Sequence, residues 1–93
     1  MFMTLAYAIA LTEARSCLAA LADRATDVYE SSHYDRLLID LDGLHPWGPA
    51  LWPMSGTKAE LLDWLESAVD RMLDLGGDGL SLELLLMSAK DRA

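Results

Sequence analysis

Hydrophobic and polar positions are most regularly spaced between Thr57 and Leu75 (TKAELLDWLESAVDRMLDL). Leu61, Leu65, Ala68, Val69, Met72 and Leu75 recur at helical intervals. Asp63, Ser67, Asp70 and Asp74 take the opposite face, so the segment is predicted to be an amphipathic helix. Thr57 and Glu60 stand in the S/T-x-x-E relation of a capping box, in which each side chain satisfies an orphan N–H of the first turn. Gly76-Gly77 marks the end, because a left-handed residue after a helix is least costly as glycine. The apolar arc covers roughly half the circumference, enough to touch more than one neighbour. Trp64 lies at its edge.

From Met3 to Glu30 a helical pattern runs without glycine or proline, and it predicts one long first helix. Tyr7, Leu11, Ala14, Leu18, Leu21, Ala25 and Val28 form a stripe with steps of four and three. Thr12, Ser16, Asp23, Asp27 and Glu30 line another face. Before Leu11 the helix has no polar side: Phe2, Met3, Leu5, Ala6 and Ile9 make residues 2 to 11 apolar all round. Such a segment should be buried on every side. Either the other helices of the same chain wrap it or a second subunit does, and a small domain favours the subunit interface.

Ser31-Ser32 is read as the cap of a short second helix carrying Tyr34, Leu37, Leu38 and Leu41, stopped by Gly43. Leu44 to Gly56 (LHPWGPALWPMSG) holds all three prolines and two of the three tryptophans, and is predicted to be a loop. After the central helix, Gly76-Gly77-Asp78-Gly79 makes a turn. Ser81 then caps a last helix through Leu82, Leu85, Leu86 and Ala89 to about Arg92. The alternation of Leu80, Leu82 and Leu84 also suits a strand, but leucine without β-branched or aromatic company favours helix. The expected fold is all-α: a small four-helix domain with a long N-terminal helix, a short second helix, a Trp/Pro loop and a C-terminal helical hairpin. Residues 1–93 form a single domain.

Composition sharpens this picture in two ways. Hydrophobic residues make up 53% of 93 residues, more than so small an interior readily hides, which points to an oligomer or a protein partner. The 15 acidic against 7 basic side chains disfavour binding to nucleic acid or to an anionic membrane surface. The apolar run MFMTLAYAIAL lacks the positive start of a signal peptide and is short for a membrane span. A lone Cys17 has no disulfide partner within the chain, in keeping with a reducing, cytoplasmic setting.

Candidate chemistry is sparse. Leu38-Ile39-Asp40-Leu41-Asp42-Gly43 resembles the nucleophile signature of haloacid-dehalogenase-type phosphatases, an apolar strand ending in Asp-x-Asp-Gly-Thr, with Leu44 departing from the usual Thr or Val. The resemblance implies Asp40 as nucleophile and Asp42 as acid/base with magnesium. The family's larger Rossmann-like core does not fit in this length, and the alternative is two solvent-facing aspartates at a helix end. His33 and His45 show no ligand spacing, so neither a metal nor a cofactor is expected, and His45 should pack beside a tryptophan. Trp47 and Trp52 are either a binding surface or a lid on the bundle end. The acidic face Asp63, Glu66, Asp70 and Asp74 suits solvent or a basic partner.

The expectation is therefore a non-enzymatic, acidic protein–protein interaction module of adaptor, immunity or antitoxin-like build. It would dimerise through the first helix and bind through Phe2, Leu5, Ile9, Trp47 and Trp52. The alternative is a small-ligand binder or phosphatase-like enzyme using Asp40 and Asp42 beside the Trp47/Trp52 loop. Nucleic-acid mimicry by the acidic surface is a third possibility.

Overall fold

The computed structural model describes residues 4–45 and 51–91. Four helices follow one another, α1 (Leu5–Arg24), α2 (Val28–Gly43), α3 (Lys58–Asp74) and α4 (Gly79–Lys90), with no strand among the described residues. The all-α, four-helix expectation holds, and Leu80 to Leu84 lies within α4.

The first predicted helix is divided. The chain leaves helical geometry at Ala25, which is extended, and Asp27 accepts the Glu30 N–H at 2.8 Å to start α2. A helix from Met3 to Glu30 would be about 42 Å long at 1.5 Å per residue. The whole domain measures only 39 Å along its longest axis. Turning back at Ala25 brings Tyr34, Leu37 and Leu41 onto α1, and all three are buried. Val28, placed on the α1 stripe by periodicity, instead stands 73% exposed beyond the break. Ser31-Ser32 lies inside α2 and caps nothing. Ser81 is likewise inside α4, whose cap is Asp78, accepting from the Ser81 N–H at 3.3 Å.

The central helix is as its spacing predicts. Thr57 and Glu60 close both bonds of the capping box, at 3.1 and 3.0 Å. Its end is a Schellman turn: Gly77 N–H reaches the Met72 carbonyl at 2.9 Å and Gly76 N–H the Leu73 carbonyl at 3.1 Å. Gly76 has φ +93°, where a side chain is strained, and a Cβ on Gly77 would crowd the Met72 carbonyl oxygen at 3.0 Å, so a larger residue there would force its neighbours to shift. Leu61, Leu62, Leu65, Ala68, Val69 and Met72 are buried, whereas Leu75 at the C-cap is half exposed.

The backbones of α1 and α4 each touch α2 and α3 but not one another, nor does α2 touch α3. Side chains give the directions. Arg15 of α1 meets Asp42 near the end of α2, and His33 of α2 meets Ser88 near the end of α4. Lys90 of α4 meets Glu66 of α3, and Tyr7 lies against Gly77 beyond the end of α3. Every neighbouring pair is antiparallel, so the order is up, down, down, up. This is a four-helix arrangement with one long crossover.

That crossover explains one buried polar residue. Joining α2 to α3 requires the chain to travel the length of the bundle, and its described residues, His45 and 51–56, lie along α1. His45 sits beside Tyr7, Trp52 N–H donates to Ser16 Oγ at 2.8 Å, and Met54 lies near Ala20, Asp23 and Arg24. Ser16 is therefore only 1% exposed, and Thr12, read on the same face, is 2% exposed. Both are satisfied, since Thr12 Oγ1 donates to the Ala8 carbonyl at 2.8 Å.

Two outcomes follow. Leu18→Ala should lower stability by about 2–5 kcal/mol, and Val28→Ala by less than about 0.5 kcal/mol, in urea unfolding of the whole chain. The Thr57 backbone N–H bond holds the Glu60 carboxyl below its ordinary value of 4.5. A depressed carboxyl contributes stability above that pH and loses it as the pH falls through the folded value. Glu60→Gln should therefore flatten the acid limb of the stability curve below pH 4.5, followed by circular dichroism.

Candidate docking surface

α4 is apolar on two opposite sides. Leu82, Leu85 and Ala89 are buried against α2 and α3, while Leu80, Leu84 and Met87 point away from them at 71%, 53% and 67% exposure. An all-round apolar helix normally lies within a core. Here two neighbours cover one side only.

Beside this ridge runs a groove between α2 and α4, with a volume of about 600 Å³. Leu37, Ile39, Asp40 and Leu44 form one wall; Leu84 and Leu85 form much of the other. Ile39 is 67% exposed. His33 steadies the pair of helices by donating to the Ser88 carbonyl at 2.8 Å. The side chains of Arg36 and Glu83, each one turn from this apolar surface, make no hydrogen bond or ion pair among the described residues.

The residues singled out by their sequence are dispersed. Leu5 is exposed and Ile9 partly so, whereas Ala10 and Leu11 are fully buried. The start of α1 is thus not enclosed on every side within the chain: its first turn faces outwards, and enclosure begins at Ala10. Phe2 and Trp47 lie outside the described residues. Trp52 is half exposed, with its backbone tied to Ser16 over α1, so it stands away from Asp40 in the groove between α2 and α4. Trp64 Nε1 donates to Glu13 at 3.3 Å, and the same carboxylate is held by Arg71.

Asp40 and Asp42 sit in the last turns of α2, not at the end of a strand, which corrects the fold that the phosphatase resemblance implies. Asp42 is paired with Arg15 at 2.6 Å, and Asp40 faces the groove. No group of three acidic, histidine or cysteine side chains suited to a metal occurs among the described residues. His45 packs on Tyr7 rather than on a tryptophan among those residues. The Leu41 carbonyl can only accept, so His45 Nδ1 carries the proton and donates to it at 2.9 Å; Nε2 then accepts from the Tyr7 hydroxyl at 2.9 Å. Burial, with Asp78 nearby, raises the Tyr7 phenol above its ordinary value.

On the acidic face of α3, Glu66 is bound by Lys90 at 2.7 Å, while Asp63, Asp70 and Asp74 are exposed. α1 is long and apolar enough to cross a membrane by length and composition alone, and half of it is buried inside the domain. No protein-family model, curated protein or solved structure matches the chain.

The ridge on α4 escaped the sequence reading, although a signal was present. The alternation of Leu80, Leu82 and Leu84, weighed as a strand pattern, is what a helix shows when both its sides are apolar. Cys17, the chain's single thiol, is buried, and burial together with Glu13 pushes it up to about 12. It should resist iodoacetamide in the native chain at neutral pH and label fully in denaturant; rapid native labelling, read by mass spectrometry, would contradict its placement.

Proposed function

We propose that this chain is a non-enzymatic protein–protein interaction module. The observation that carries this reading is the outward ridge Leu80, Leu84 and Met87 beside an open apolar groove. Contiguous exposed leucine, isoleucine and methionine cost solubility, and soluble proteins keep such patches mainly where something docks. The remainder of the surface is strongly acidic, in keeping with the chain's net charge of −8. That charge holds molecules apart everywhere except where apolar contact outweighs it. A reducing, cytoplasmic setting suits the single buried thiol. The build agrees with an adaptor or antitoxin-like regulator in size and charge, an analogy of form.

The small-ligand reading keeps one supporting observation, the carboxylate of Asp40 at the groove wall. Its phosphatase form would need a nucleophile, a second acid and a cation brought together. Asp42 is instead occupied by Arg15.

The two readings differ in what Leu84→Glu does. For an interaction module, the protein retained by immobilised chain from its own cells should be lost with Leu84→Glu and kept with Asp40→Asn. A ligand site predicts the reverse sensitivity: magnesium with a phosphate analogue should bind by calorimetry, and Asp40→Asn should abolish it. Binding of that kind, with no protein dependent on Leu84, would overturn the interaction reading.

A further inference from the structure

The surface on α2 and α4 carries both halves of a joint, a ridge and a groove side by side. A two-fold interface uses one patch twice, so its patch must offer a projection and the recess that receives it. We infer that the occupant is a second copy of this chain, with the Leu80, Leu84 and Met87 ridge of each copy entering the groove of the other. This rests on the interaction reading above and names its partner.

Three observations select a second copy. The ridge steps by four and then three residues, the d-a-d spacing of a coiled-coil seam, which suits packing against another helix of its own kind. The exposed parts of the ridge, Ile39 and Leu44 are contiguous, because Leu84, Ile39 and Leu44 share one groove. Covering them on both copies removes on the order of 1,000 Å² in total, about the least that a specific interface needs. The third observation is charge. Arg36 borders the α2 side of the patch and Glu83 the α4 side, opposite in sign and unpaired among the described residues. Laying α4 of one copy in the other's groove carries Glu83 towards the α2 of that copy, where Arg36 stands. The pairing happens twice by symmetry.

The net charge of −8 opposes this association. Repulsion between like-charged copies is screened by salt, whereas apolar contact is not weakened by it, so the dimer should strengthen as salt rises. A basic partner docked on the acidic surface would show the opposite dependence.

The test is sedimentation equilibrium of the full chain from about 1 to about 200 µM, spanning ordinary dimer affinities. The wild type should pass from monomer to dimer, and Leu84→Glu should weaken this by at least about tenfold, as loss of a central apolar anchor does. Leu5→Glu and Ile9→Glu should leave it unchanged. Glu83→Arg should weaken the dimer, and adding Arg36→Glu to the same chain should restore it. Helix content by circular dichroism accompanies each variant. If Leu84→Glu unfolds, the charge-reversal pair decides, and failure of Arg36→Glu to rescue overturns the inference. A wild type monomeric at every concentration overturns it as well, as does a dimer lost only with Leu5→Glu. In a monomer, Leu84-dependent retention of another protein would leave the interaction reading standing; its absence would remove both.

Discussion

Everything in this fold depends on covering α1. Its twenty residues are apolar enough to resemble a membrane span, and only four of them, Glu13, Arg15, Asp23 and Arg24, carry charge. A two-helix contact would leave most of that circumference wet. The chain answers by placing α2 on one side, α3 on a second and the crossover along a third. The crossover can approach only because α1 presents small residues there. Ser16, Ala19 and Ala20 make room for the extended backbone around Trp52, and Ser16 supplies the acceptor that its N–H would otherwise lack.

Spending two helices and the crossover on α1 determines what happens at the opposite corner. α4 is diagonal to α1 and has only two neighbours, yet it is the most leucine-rich of the four helices. Part of the apolar surplus of the composition therefore lies on the outer side of α4 and the adjacent wall of α2. Thus the same economy that buries α1 leaves one apolar side of α4 exposed.

Much of the fold was legible in local chemistry. The capping box at Thr57 and Glu60 and the Gly76-Gly77 ending are short-range signals, complete within a few residues, and α3 obeys both. The break at Ala25 was not legible from periodicity, because no glycine or proline punctuates it and helical spacing continues across it. The missed clue was Asp27 three residues before Glu30, an N-cap signature overshadowed by the neighbouring serines. The burial of Ser16 was not legible for a different reason: it depends on Trp52, 36 residues away, and polarity predicts exposure only when nothing distant supplies a hydrogen bond. The all-round apolar stretch at residues 2 to 11 is legible in local sequence, whereas the outward ridge of α4 depends on the diagonal order of the bundle.

The central claim is that the joining face we propose is the ridge of α4 and not the exposed first turn of α1. The most direct measurement is methyl NMR with a soluble paramagnetic probe, recorded on dilute and concentrated samples. The account predicts that the Met87 and Leu84 methyl groups are broadened strongly when dilute and become shielded when concentrated. Leu18 should be protected and Leu5 broadened in both samples. Met87 and Leu84 broadened alike at both concentrations, with Leu5 becoming shielded instead, would contradict it.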